Sequence, residues 1–342
     1  MKNWVSEILT SEKRLVMPVM TYPGLDLINK NIMDVIKNGE NQAECIEVLA
    51  KKYPSAAAVT IMDLSVEAEV FGSPIRFTDN EVPAVTAPIV SDEETAKALR
   101  VPKVGEGRTN VYIKAAALVA NNVIDRPTFS GAIGPFSLAG RLFDMTEIMI
   151  QAMIEPDMVH IVLSKCTEFL IEYIGEMKAT GGNGLILAEP AAGLISPEMC
   201  QSFSSDYVKK IVDEVQDENF MIILHNCGNT VKLVSSMVST GAMGLHFGNA
   251  VDMVDIMPQM PENIIAFGNI DPARTFKNGT VEDMNTLTKE LLEKTANYKN
   301  FVLSSGCDVP PGTPLENVDA FFGTVNKFNQ QMQKHYKRPT GR

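Results

Sequence analysis

The chain has 342 residues, of which 45% are hydrophobic, 21% charged and 7% aromatic, a composition that supplies a large apolar core and excludes disorder, collagen and a small disulfide-stapled scaffold. Its 30 Lys and Arg against 42 Asp and Glu leave a net charge of −12. No basic run interleaves with aromatics, so no nucleic-acid partner is expected. The opening MKNWVSEILTSEKR carries charges where a secretory signal needs an apolar stretch, and nothing stays apolar for the ~18 residues of a bilayer span. A cytoplasmic protein without membrane contact is therefore expected.

In chain order, Val16–Thr21 and Ala56–Asp63 read as strands on either side of a helix over Ile32–Lys52. Phe71–Arg108, rich in Pro, Thr and acidic residues, breaks the pattern and is read as a rim or lid excursion after the second strand. From about residue 120, short apolar runs alternate with amphipathic helices. The runs are Phe129–Gly134, Gly184–Glu189, Met221–His225, Met243–Phe247, Ile264–Asn269 and Phe301–Ser305, continuous enough in apolar residues to be buried on both faces. Between them, Ser196 and Pro197 open a helix to Val215, and Thr280 opens one over Val281–Tyr298. Eight such units predict an α/β fold of the (β/α)8 TIM-barrel type, one domain over 1–342 with an N-terminal helical extension. The competing open doubly wound sheet lacks its glycine fingerprints here.

In a barrel, chemistry belongs at the C-terminal ends of the strands. Those ends supply Met20, Tyr22, Asp63, Glu189, His225, Cys227, His246, Asn269, Asp271, Cys307 and Asp308. The informative set is His225-x-Cys227 with the remote Cys307. Two thiolates and an imidazole suit zinc, and three protein ligands leave a fourth position for water or substrate. Spacing alone does not distinguish such a set from packed cysteines; its placement in turn-forming sequence at two strand ends does. Zinc held this way deprotonates a bound thiol, whose free pKa is ~8.5. The site thus favours alkyl transfer to sulfur over hydrolysis. Cys45, Cys166 and Cys200 fall on helical faces and are expected to be packing residues, as five cysteines without a framework suggest.

Several segments resemble the uroporphyrinogen decarboxylase superfamily of (β/α)8 barrels: AAAVTIMDLSVEAEVFG around Asp63, GAIGPFSLAG at 131–140, LILAEPAAGLISPE ending at Glu198, LHNCGNT at 224–230, FGNIDP at 267–272 and SSGCDVPPGTPLEN at 304–317. His225, Cys227 and Cys307 are similar to the hallmark of its methylcobamide:coenzyme M methyltransferase branch. That resemblance implies that His225, Cys227 and Cys307 are the zinc ligands, that an acceptor thiol such as coenzyme M is activated, and that its sulfur takes the methyl group of a methylcobalamin-type cobalt(III) corrinoid. A separate corrinoid protein would present the corrinoid, since no Asp-x-His-x-x-Gly motif occurs here. The alternatives are a decarboxylase-like lyase and a non-catalytic corrinoid- or tetrapyrrole-binding protein. Against the lyase, Val19-Met20-Thr21-Tyr22-Pro23-Gly24 lacks the carboxylate-holding arginines of those enzymes, Arg141 stands near the place of their tyrosine, and Cys307 replaces a histidine.

Met20, Tyr22, Asp63, Glu189 and His246 complete the expected substrate-binding set. Asp63 aligns with the pyrrole-binding aspartate of the decarboxylases and is also a catalytic candidate; otherwise turn amides satisfy it. Glu189 either fills the open metal position, binds a ligand or caps its own turn, and His246 is placed at the mouth rather than in the core. Asn229 and Asp271 are expected to hold turns, and His160 and His335 to lie on the surface.

Overall fold

The computed structural model describes residues 1–336, with side chains through residue 333; the side chain of His335 lies outside the described residues. In chain order the strands are β1 (Ala58–Val59), β2 (Ile75–Arg76), β3 (Ala84–Val85), β4 (Thr128–Ile133), β5 (Gly184–Ala188), β6 (Met221–Asn226), β7 (Gly244–Phe247), β8 (Ile265–Ile270) and β9 (Phe301–Ser305). β2 and β3 form an antiparallel hairpin. The other seven run parallel in the order β1-β4-β5-β6-β7-β8-β9, a curled sheet of the TIM-barrel type.

The extended segment 15–19 joins the two edges of this sheet. Val16 bridges Leu303 in parallel, Met17 N donates to Leu303 O at 2.8 Å, Leu303 N donates to Leu15 O at 3.1 Å, and Ala56 N donates to Val16 O at 2.8 Å. The first expected strand is thus an extended seam with one ladder bridge, and the second shrinks to β1.

Side chains alternate across each strand, and the inward set forms one apolar cluster: Met17 and Val19 from the seam, Val59, Phe129, Ile186 and Ala188, Met221 and Ile223, Ile265 and Phe267, and Val302. The helix Lys2–Thr10 closes the floor, with Ile8 in this cluster and the Trp4 ring 5.6 Å from that of Phe129. The outward set meets the surrounding helices in a second cluster. No described helix is long and apolar enough to cross a membrane.

Local capping explains where the helices depart from the expected spans. The first breaks into Ile32–Ile36 and Gly39–Lys52 because Asn38 caps the second piece, its Oδ1 accepting from Asn41 N at 2.9 Å. Val281–Lys294 starts at a capping box between Thr280 and Asp283 and stops short of Tyr298. The helix after Ser196 widens into a π turn at Gln201–Ser205 before resuming as Asp206–Val215. The excursion starts after the helix Val66–Phe71. It contains the hairpin and the helix Glu93–Ala98, and it is pinned from outside by Lys165 Nζ, which donates to the carbonyls of Ala96, Lys97 and Leu99 at 2.9, 2.6 and 2.7 Å.

Candidate metal centre

Alternation along β6 turns Met221, Ile223 and then His225 into the barrel. One residue past its end the chain bends: Asn226 Oδ1 accepts from Gly228 N at 2.9 Å, which leaves Cys227 at the apex. The neighbouring loop comes so close that a Cβ at Gly248 would collide with the Cys227 backbone. After β9, Gly306 N donates to Ile270 O at 2.7 Å and Val309 N donates to Val19 O at 2.8 Å, so both flanks of Cys307 are fixed. Asp308 is half-buried; its carboxylate accepts from the Thr21 hydroxyl at 3.0 and 3.1 Å, and desolvation pushes it up to about 8.

The result is one cluster. A ring nitrogen of His225 and the sulfurs of Cys227 and Cys307 all lie within 4.8 Å of one another. The hydrogen bond from the Cys307 thiol, followed by His225, holds the Cys227 thiol down to about 4; Cys307, as donor to that sulfur, is pushed up. One thiolate therefore forms readily, and a cation would remove the remaining shared proton. His225 is buried, and its Nε2 has no hydrogen-bond partner among the described residues. A buried imidazole nitrogen without a protein partner among the described residues, beside two thiols, matches the donor set of zinc, and the residues fit that ion.

The other expected residues are distributed differently. His246 faces the barrel interior from β7, fully buried, with Nδ1 2.7 Å from His225 Nδ1. Burial, then the neighbouring His225, pushes it well below the ordinary imidazole range. It stands behind His225 and not on the open mouth. Met20 is a correction: Met17 and Val19 face inward, so Met20 faces outward and packs near Ile46 and Leu49 of the helix Gly39–Lys52. Tyr22 is buried, and its hydroxyl has no partner among the described residues.

Glu189 follows inward-facing Ala188 and so points outward. Its Oε1 accepts from Ser137 N at 3.0 Å at the start of the helix Pro135–Phe143, and its Oε2 from Ser204 Oγ at 2.6 Å. The π turn supplies that serine. Gly134 makes room for the carboxylate, which a Cβ there would overlap. Burial pushes Glu189 up to about 7. With both oxygens engaged, it supplies no metal ligand.

Asp63 is likewise enclosed. Oδ1 accepts from Ser65 N and Oγ at 2.9 and 2.6 Å; Oδ2 accepts from Tyr112 Oη at 3.0 Å and pairs with Arg108 Nη1. Arg108, from the end of the excursion, also reaches Glu69 at 2.5 Å and Ser65 Oγ at 2.8 Å. Burial opposes its charge, but Asp63 and its neighbours outweigh it and raise Arg108 further. Arg108 and Tyr112 escape a search by motif, as does Ser304, whose Oγ lies 2.9 Å from His246 Nε2; only the inward parity of residue 304 relative to Val302 marks the serine beforehand.

Smaller corrections concern the surface and the turns. His160 is half-buried, its Nδ1 2.8 Å from Tyr207 Oη and its ring stacked on Phe203. Asp271 caps a turn by accepting from Ala273 N and Arg274 N at 2.9 and 2.7 Å; in the turn after β6 that work falls to Asn226, not Asn229. Cys45, Cys166 and Cys200 are buried, and burial raises each thiol.

The family model for uroporphyrinogen decarboxylase (URO-D) matches residues 15–328. The chain belongs to the uroporphyrinogen decarboxylase family. Within it, the sequence is 30% identical over 269 residues to the methylcobamide:CoM methyltransferase MtbA of Methanosarcina acetivorans, covering 75% of each chain. It is 23% identical to uroporphyrinogen decarboxylase of Coxiella burnetii, over 89% of this chain and 86% of that one. A methyltransferase from Methanosarcina mazei has the same fold with a TM-score of 0.86 and 25% identity, covering 96% and 98% of the two chains. The family is one of enzymes, and this chain falls in its methyltransferase-like branch.

Proposed function

We propose that the protein is a zinc-dependent methyltransferase that moves a methyl group between a corrinoid, carried by a separate corrinoid protein, and a small thiol such as coenzyme M. The observation that carries this reading is the convergence of His225, Cys227 and Cys307 within 4.8 Å, together with the bare Nε2 of His225. The activities named for the similar Methanosarcina proteins support it. The family's decarboxylase activity is less suited to a site with two thiols and no arginine across Val19–Gly24.

His225 Nε2 and the sulfurs of Cys227 and Cys307 would hold the zinc. When bound, zinc keeps the acceptor sulfur as a thiolate at neutral pH. The chain's own residues do the rest. Two thiolates balance the dication, which leaves the acceptor sulfur its nucleophilicity; the closed barrel beneath shields it from water; and the flanking loops keep both cysteines in place. In the transfer, a sulfur–methyl bond forms as the cobalt–carbon bond breaks, and the bonding pair remains on cobalt.

Elemental analysis of the purified chain, followed by incubation with methylcobalamin and a panel of thiols, tests the reading. One zinc per chain and thiol-dependent loss of methylcobalamin are expected. A zinc-loaded chain that leaves methylcobalamin intact with every thiol, or a chain that turns over uroporphyrinogen without metal, would overturn it.

A further inference from the structure

An imidazole that ligates through Nε2 must carry its proton on Nδ1, and the groups behind the ring decide where that proton sits. Behind His225 Nδ1, at 2.7 Å, is His246 Nδ1. His246 Nε2 is 2.9 Å from Ser304 Oγ, and Ser304 Oγ is 2.7 Å from the carbonyl oxygen of Met17. A carbonyl only accepts, so the serine proton points to Met17. Ser304 Oγ then accepts from His246 Nε2–H. That leaves His246 Nδ1 without a proton, and it accepts from His225 Nδ1–H. The row ends on the bare lone pair of His225 Nε2.

Direction is imposed from one end because Met17 O cannot reverse its role. His225, His246 and Ser304 are 2%, 0% and 0% exposed, so solvent does not substitute for a missing partner. Phe267 lies nearly parallel to the His246 ring, with centroids 6.4 Å apart and planes 15° from parallel, which fixes the ring plane. Met17 itself belongs to the seam that joins the sheet edges.

We propose that His246 and Ser304 are positioning residues: a row of hydrogen bonds directed from the seam carbonyl of Met17 holds His225 in the tautomer that ligates through Nε2. This rests on the metal reading above.

The test compares the full chain with H246L, H246Q and S304A. Zinc affinity is read by competition with a chromophoric chelator, and the His225 tautomer by NMR of nitrogen-15-labelled histidine. H246L removes the acceptor and should weaken zinc binding about tenfold to hundredfold, with the metal-free His225 proton no longer confined to Nδ1. H246Q keeps a carbonyl acceptor and should recover most of the loss. S304A should shift the tautomer in the same direction with a smaller loss of affinity, and it decides the matter if H246L does not fold. Folded variants with unchanged affinity and an unchanged His225 tautomer would overturn the proposal. A parent chain that takes no zinc but holds its proton on His225 Nδ1 would overturn the metal reading while upholding the row.

Discussion

Two groups of ionisable side chains sit at the C-terminal end of the same barrel, one after β1 and β5, the other on and just past the ends of β6 and β9. In the first, both Asp63 oxygens are taken by Ser65, Tyr112 and Arg108, and both Glu189 oxygens by Ser137 and Ser204. In the second, an imidazole nitrogen beside two sulfurs is left without a partner among the described residues. Both groups occupy strand ends, where barrel enzymes keep their chemistry. What separates them is accounting of lone pairs: a carboxylate saturated by its own chain holds the structure together, while a buried donor atom left over is available to something that is not protein.

The largest expected effect breaks the second group. Cys307→Ala should take bound zinc from one per chain to almost none and reduce thiol methylation below detection, leaving thermal unfolding of the metal-free chain nearly unchanged. Retention of zinc and turnover would show that the leftover atoms were not the site. Next, Arg108→Met breaks the first group. It strands the Asp63 carboxylate, 1% exposed in its side chain, and should cost about 3–5 kcal/mol of stability in a denaturant titration. Equal stability of the two proteins would mean that the ion pair does not hold this half of the rim.

The smallest effect is a slope. Burial pushes Glu67 up to about 8 and Glu189 to about 7, above the ~4.3 of a free glutamate. The folded state therefore binds more protons than the unfolded one across that window. Stability should be fullest below pH ~4.3 with respect to these groups and should fall as pH rises toward 8, by at most about 1.4 kcal/mol per pH unit for each carboxyl. Glu67→Gln should flatten that fall in melting experiments between pH 5 and 8. A slope unaltered by the substitution would assign the pH dependence to other groups.

The parallel strands from β4 onward are legible in sequence because both of their faces are buried, which leaves uninterrupted apolar runs. Segment 15–19 and β1 are harder to bound, since their role is set by a few backbone hydrogen bonds to distant chain. The cluster of His225, Cys227 and Cys307 is legible because its residue types are scarce and fall in turn sequence. Met20 and Glu189 were harder for a simple reason: in a strand, a displacement of one residue exchanges inside for outside. Neighbours known to face inward, Val19 and Ala188, reverse both assignments. Arg108 reaches Asp63 from 45 residues away along the chain, past two helices and a hairpin, and no periodicity encodes that contact.

The plug beneath the barrel has a practical consequence. Trp4 is the only tryptophan in the chain, and it sits against Phe129 at the end remote from the cysteines. Intrinsic indole emission is therefore a private signal from the floor. Compared with a cobalt-substituted chromophore at the rim, it would reveal whether the two ends of the molecule come apart together or in sequence.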